Sequence, residues 1–306
     1  MTGKHQVIFD TDIGTDVDDI LALGFLLGSP DEIDLLGVTT VYGDVDLRAR
    51  MVRKVLQLRG KDGVAVHTGV RDPLLKLDPI YWPGHEGIGL LQDGEDLAPP
   101  DSHDAVGYLV ETVMARPGEI TLLAVGPLTN VATAMLREPA FATSLKQLTI
   151  MGGKVDMSNS LGGPAEHNIK CDPEAASVVF GSGAPINLVA LDVTLRALIR
   201  QTGVDALLDQ PDPYHQALGD QVARYPGFVD RGGSTFLHDP LAAMALVTPD
   251  LLGWQPYHVD VELTGRLTRA MTVVRIPTSD FPTTARIAMT LDVDACERLI
   301  AQRLAS

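Results

Sequence analysis

Residues 6–27 read QVIFDTDIGTDVDDILALGFLL, and this stretch decides the fold class. Gln6 to Phe9 is a short β-branched and aromatic run that reads as a strand. Asp18 to about Leu27 reads as an apolar helix, and the loop between the two is crowded with aspartates. Strand, tight loop and helix are the opening of a βα unit. The alternation continues with a strand at Ile33–Thr40 and a helix from about Asp46 to Leu58. Further strands read near Val64–Val66, Ile120–Val125, Leu148–Met151 and Ile186–Val189, and helices near Ala105–Ala115, Leu128–Leu136 and Pro173–Phe180. Strands that are apolar throughout and alternate with helices predict an α/β fold, an open doubly wound, mostly parallel sheet with helices on both faces. After Ala190 the pattern loosens. Runs at Tyr257–Leu263, Met271–Val274 and Arg286–Leu291, before a closing helix at Val293–Leu304, predict antiparallel additions near the C-terminus. No composition shift marks a boundary, so the 306 residues read as a single domain.

Composition narrows the function. A net charge of −16 argues against a polyanionic partner, because binding a phosphate backbone requires clustered Lys and Arg. Nucleic acid and anionic membranes are therefore not expected as partners. The longest apolar stretch, Ile20–Leu27, is far shorter than the roughly 20 residues of a membrane span. The first residues pass from Met1 into the strand without a charged and apolar leader, which makes a cytoplasmic location the expectation. Cys171 and Cys296 lack the spacing of a metal or redox motif and read as buried thiols.

In open parallel sheets, ligands bind beyond the carboxyl ends of the strands. There, Asp10 and Asp12 share a face by strand alternation, and Asp16, Asp18 and Asp19 lead into the helix. Carboxylates gathered so closely repel unless a cation compensates, and hard oxygen ligands select Ca²⁺ or Mg²⁺. The plainer alternative makes Asp16 or Asp18 a helix cap and the rest solvated turn residues, but one cap does not need five carboxylates. A phosphatase-type alternative makes Asp10 a nucleophile and Asp12 its acid partner, yet the later chain lacks the Lys and paired-Asp set such chemistry uses. FLHDPLA places His238 beside Asp239 at a helix start; its plain reading is an N-cap and a packed histidine. PAEHNIKCDPEAA places Glu166 and Asn168 on one face of an extended segment, with Asp172 capping the next helix. AVGPLTNVA leaves a strand at Val125 through a Gly-Pro turn that frees a backbone carbonyl toward the crevice, with Thr129 and Asn130 as helix-start residues. The Gly/Ser/Asn-rich stretch from Gly152 to Gly163 is a candidate substrate loop.

In order, DTDIGTDVDD, AVGPLTN, Met151-Gly152-Gly153, AEHNIKCDPEAA, LDVT at Leu191–Thr194 and HDP from His238 resemble the inosine-uridine-preferring nucleoside hydrolase family, from Val7 to about Leu291. The resemblance implies Ca²⁺-dependent hydrolysis of the N-glycosidic bond of ribonucleosides, by a homodimer or homotetramer. It implies Asp12, Asp19, the Val125 carbonyl and Asp239 as metal ligands, and Asp18 as the group that activates the attacking water. Glu166 and Asn168 would bind ribose hydroxyls, and His238 would protonate the departing base. Three departures stand out. Two extra residues in the opening motif make Asp16 a competitor of Asp18, although the ILAL that follows Asp19 favours Asp18. Asp44 follows Gly43 where the family commonly has Asn, which would add charge beside the substrate. The loop before AEHN has no single match to the family's ribose-binding Asn, for which Asn159 and Ser160 are the two candidates. YWPGHEGIG, Tyr81–Gly89, resembles the mobile loop over the base, with His85 or Trp82 reaching the substrate. Tyr225 and Phe228 read equally as base-stacking or core aromatics. The rival from another class is a noncatalytic Ca²⁺-dependent nucleoside or sugar binder, against which Asp18 and His238 weigh, since a binder needs neither base nor acid.

Overall fold

A computed structural model describes residues 3–156 and 163–306. The first half is a run of alternating elements: β1 (His5–Thr11), α1 (Asp18–Leu27), β2 (Ile33–Thr40), α2 (Val45–Leu58), β3 (Ala65–Thr68), α3 (Ala105–Ala115) and β4 (Ile120–Ala124). It continues through α4 (Thr129–Arg137), α5 (Phe141–Ser144), β5 (Gln147–Met151), α6 (His167–Cys171), α7 (Pro173–Phe180) and β6 (Ile186–Val189). Then come α8 (Leu191–Thr194), β7 (Leu198–Arg200), α9 (Gln201–Leu208), α10 (Pro213–Arg224), α11 (Pro226–Asp230), β8 (Ser234–Phe236) and α12 (His238–Val247). The chain closes with β9 (Leu252–Val261), β10 (Thr272–Arg275), β11 (Ala285–Leu291) and α13 (Val293–Leu304).

Among the described residues the main sheet runs β10-β9-β11-β6-β5-β4-β1-β2-β3, parallel from β3 through to β11, with β9 antiparallel to both β11 and β10. One buried apolar cluster lies on each face. The first packs α1, α2, α10, α12 and α13 against the sheet, and the second packs α3, α4 and α7. Every residue of α1 is buried, which is why its sequence is apolar on all sides rather than on one stripe. The small antiparallel pair β7–β8 lies apart from the main sheet and was not expected from the sequence. Strand β9 starts at Leu252, earlier than the expected Tyr257, and so includes Pro256. The strand tolerates it, since β10 pairs with β9 only as far as His258 and leaves Pro256 at a free edge.

Strand order reverses at β1, which pairs with β2 on one side and β4 on the other. Such a reversal opens a crevice at the carboxyl ends of the two strands. Asp10 stands in register with Ala124, so the aspartate loop after β1 faces the Gly-Pro turn after β4. Among the described residues no helix is long and apolar enough to cross a membrane.

Candidate active site

The crevice holds a cavity of about 760 Å³, bordered by Asp12, Asp18, Asp19, Val125, Glu166, Asn168, His238 and Asp239. Two helix starts build its acidic wall. Helix α1 begins with Val17 at the N-cap and no side-chain cap, so Asp18 and Asp19 occupy its first turn. Helix α12 begins likewise with Leu237 at the N-cap, so Asp239 lies inside the turn instead of capping it. The plain capping readings of Asp16, Asp18 and Asp239 therefore fail. Oxygens of Asp18, Asp19 and Asp239 all lie within 4.8 Å of one another. Asp12 borders the same cavity outside this closest trio. A Cβ on Gly126 would stand 2.8 Å from Asp12 Oδ1, so the turn after β4 needs glycine for this approach. The Val125 carbonyl accepts a hydrogen bond from Asn168 Nδ2 at 2.5 Å, and Thr11 donates to Asp19.

Burial raises the carboxyls of Asp18, Asp19 and Asp239 well above the ordinary range, and neighbouring carboxylates add to the effect. For Asp18 the main neighbours are Asp16 and Asp19, for Asp19 it is Asp12, and for Asp239 they are Asp18 and Asp19. Three mutually repelling buried carboxyls hold their full negative charge only against a cation. Carboxylate and carbonyl oxygens form a hard donor set that fits Ca²⁺ or Mg²⁺ rather than zinc or copper.

Other sequence expectations sort differently. Glu166 and Asn168 do border the cavity, but on the start of helix α6 rather than on an extended segment. Glu166 caps that helix, accepting from the backbone N–H groups of Asn168 (2.8 Å), Ile169 (3.1 Å) and Gly153 (3.0 Å). Asp172 caps α7 as expected, accepting from Ala175 N at 3.0 Å. Asp10 is fully buried and hydrogen-bonded by Thr39 (2.5 Å) and Asn130 (2.7 Å), which removes it as a phosphatase-type nucleophile. Asp44 caps α2 through Leu47 N at 3.0 Å and does not border the cavity, so its charge serves the helix start instead of the substrate. Asn159 and Ser160 lie outside the described residues.

The Tyr81–Gly89 segment also corrects the sequence reading. Tyr81, not Trp82 or His85, borders the main cavity, with its ring edge-on to His167 at 5.2 Å. Trp82 packs over the Arg48 guanidinium at 5.0 Å, and His85 lines a separate recess of about 90 Å³ and meets the Thr15 carbonyl at 3.1 Å. Of the two ambiguous aromatics, Phe228 is core and Tyr225 borders the cavity. His238 Nδ1 lies 2.7 Å from Thr194 Oγ1. Burial, helped by the nearby Arg231 charge, pushes the imidazole down to about 3, so without substrate it is neutral rather than the imidazolium expected of an acid at neutral pH. Arg231, at the end of the Arg224–Arg231 segment read as a base-facing contribution, also borders the cavity.

The sequence profile of the inosine-uridine preferring nucleoside hydrolase family matches residues 7–298. The chain is 34% identical over 276 residues to uridine nucleosidase 1 of Arabidopsis thaliana, an alignment covering 86% of this chain and 80% of that protein. It is 33% identical over 307 residues to the non-specific ribonucleoside hydrolase RihC of Salmonella typhimurium, covering 99% and 98%. The solved purine-preferring ribonucleoside hydrolase from Gardnerella vaginalis superposes with a TM-score of 0.89 at 28% identity, over 98% of each chain. The fold, the six motifs in register and these likenesses agree: the chain belongs to the inosine-uridine preferring nucleoside hydrolase family, whose members are hydrolases acting on the N-glycosyl bonds of ribonucleosides.

Proposed function

We propose that this protein hydrolyses ribonucleosides to ribose and free base in a Ca²⁺-dependent reaction. The observation that carries the reading is the convergence of buried Asp18, Asp19 and Asp239 from two helix starts onto one cavity. Asp12, Asp19, Asp239 and the Val125 carbonyl are the groups that would hold the cation. When bound, Ca²⁺ supplies the missing positive charge and polarises oxygens brought against it.

The remaining chemistry belongs to the chain. Asp18 takes the proton of the attacking water, a role open to it because Asp16 is engaged elsewhere, by Tyr225. The transition state of glycosidic cleavage carries positive charge on the ribose ring, and the acidic wall stabilises that charge as it develops. Asn168 and Glu166 form the wall on which ribose hydroxyls would rest. The Thr194 hydroxyl, within hydrogen-bond distance of Nδ1, holds the His238 ring in place. To serve as the acid, His238 would take up a proton once substrate is bound and, as the imidazolium, pass it to the departing base, returning to the neutral ring. The test is free ribose released from a panel of purine and pyrimidine nucleosides, with and without chelator. Release from at least one nucleoside that stops on chelation supports the reading; no release from any of them overturns it.

A further inference from the structure

Arg48 is the largest fully buried side chain of the protein among the described residues, and it sits behind the acidic wall instead of in it. All three guanidinium nitrogens are used. Nη1 donates to the carbonyls of Asp12 and of Ile13 (2.8 Å), Nη2 to Thr15 Oγ1 (2.9 Å), and Nε to the Tyr42 carbonyl (2.7 Å). These acceptors fall on the aspartate loop that carries the two extra residues, and on the turn after β2. A buried guanidinium left short of acceptors is strongly unfavourable, so four well-placed oxygens fix the loop as firmly as they fix the arginine.

The lid reaches the same group. Trp82 lies over the guanidinium at 5.0 Å, and Gly43 makes room for its ring, since a Cβ there would stand 2.8 Å from the indole. Tyr81 N donates to the Tyr42 hydroxyl at 2.9 Å, and Tyr42 is held at a φ of 65°, a left-handed conformation unfavourable to a tyrosine. His85 meets the carbonyl of Thr15, the residue whose hydroxyl Arg48 also binds. Lid, turn and aspartate loop thus meet at one side chain.

We propose that Arg48 is a positioning residue that couples the lid, Ile80–His85, to the aspartate loop, Asp12–Asp16, so that the lid seated on Trp82 and the cation-binding arrangement of the loop favour one another. The coupling is reciprocal by necessity: whatever the seated lid adds to cation affinity, the bound cation adds to lid seating. Only the cation arm of the test rests on the Ca²⁺ reading above.

The experiment measures amide hydrogen exchange by mass spectrometry in the unmodified protein, Trp82→Leu and Arg48→Lys, each metal-free and with Ca²⁺, together with Ca²⁺ affinity by calorimetry. In metal-free Trp82→Leu, exchange is expected to rise about tenfold in lid peptides and severalfold in peptides covering residues 12–16, with α13 and β6 unchanged. Ca²⁺ slows lid exchange in the unmodified protein and no longer does so in Trp82→Leu. Arg48→Lys, whose single ammonium cannot span the four acceptors, weakens Ca²⁺ binding by about 10- to 100-fold. If Arg48→Lys does not fold, Trp82→Leu decides alone. Exchange that rises in the lid of Trp82→Leu while residues 12–16 and Ca²⁺ affinity stay as in the unmodified protein overturns the coupling. If the unmodified protein takes up no Ca²⁺, the metal reading fails, and the metal-free exchange arm still decides the coupling.

Discussion

The Tyr225 hydroxyl donates to Asp16 Oδ2 across 2.7 Å, bridging the loop before α11 to the extended aspartate loop. The other Asp16 oxygen accepts from Val17 N at 2.5 Å, so the carboxylate is committed to holding protein together. Asp18 instead belongs to the trio facing the cavity. Asp18→Asn is therefore expected to lower kcat by about 10²–10⁴, the usual worth of a positioned base. Asp16→Asn, whose amide oxygen still accepts from Tyr225, is expected to lower it less than about tenfold. Ribose release by both variants checks the ranking, and the reverse order would make Asp16 the base.

Metal-free protein should lose stability as pH rises. Folded Asp18, Asp19 and Asp239 have raised carboxyl pKa values, so above the unfolded range, about 4, the folded chain binds more protons than the unfolded one. Their favourable contribution is full below that range and is lost as pH climbs through the raised folded values. A cation replaces those protons, so the gain in Tm on adding Ca²⁺ is expected to be larger at pH 8 than at pH 5.5. A gain that is constant or shrinks with pH would contradict the assignment.

Asp44 yields an expectation opposite to its reading from sequence. As the cap of α2 it can be replaced by Asn, itself a good cap, with Ca²⁺ affinity and KM unchanged. Asp44→Ala is expected to destabilise the fold by about 1 kcal/mol, measured by urea denaturation. A shift of Ca²⁺ affinity in Asp44→Asn would return this residue to the site.

Much of the fold was legible in the sequence. Helices α1, α3, α7 and α13 and strands β2 and β6 fall where periodicity and apolar runs place them, because each is long or apolar enough to leave a pattern. Helix α6, with five residues, is too short to show a period, which is why Glu166 and Asn168 read as extended. The carboxylates were found because so many in an apolar setting need an explanation. Arg48 was not, since within LRARMVRK an arginine reads as part of a solvated helix face, and only the fold turns it inward. Within the Tyr81–Gly89 segment, His85 or Trp82 was read as the residue reaching the substrate, whereas Tyr81 borders the cavity; which side chain faces it depends on loop geometry that no sequence period encodes.

His238→Ala is expected to slow natural nucleosides by about 10²–10⁴ while a nitrophenyl riboside, whose leaving group departs without a proton, reacts at close to the unmodified rate. Because burial and Arg231 hold the substrate-free imidazole down to about 3, its NMR titration should show a neutral ring at pH 5, and Arg231→Met should move its pKa upward. An equal fall for both substrates would make His238 a support for ribose or for Asp239.

Titrating Ca²⁺ into fully chelated protein while following ribose release tests the catalytic cation most directly. The expected result is no release at the start and a rise to a plateau at a single cation per chain, with Asp239→Asn failing to reach it at the same concentration. Full release from chelated protein, or a plateau that Asp239→Asn leaves unchanged, would contradict the claim that the buried aspartates hold a catalytic cation.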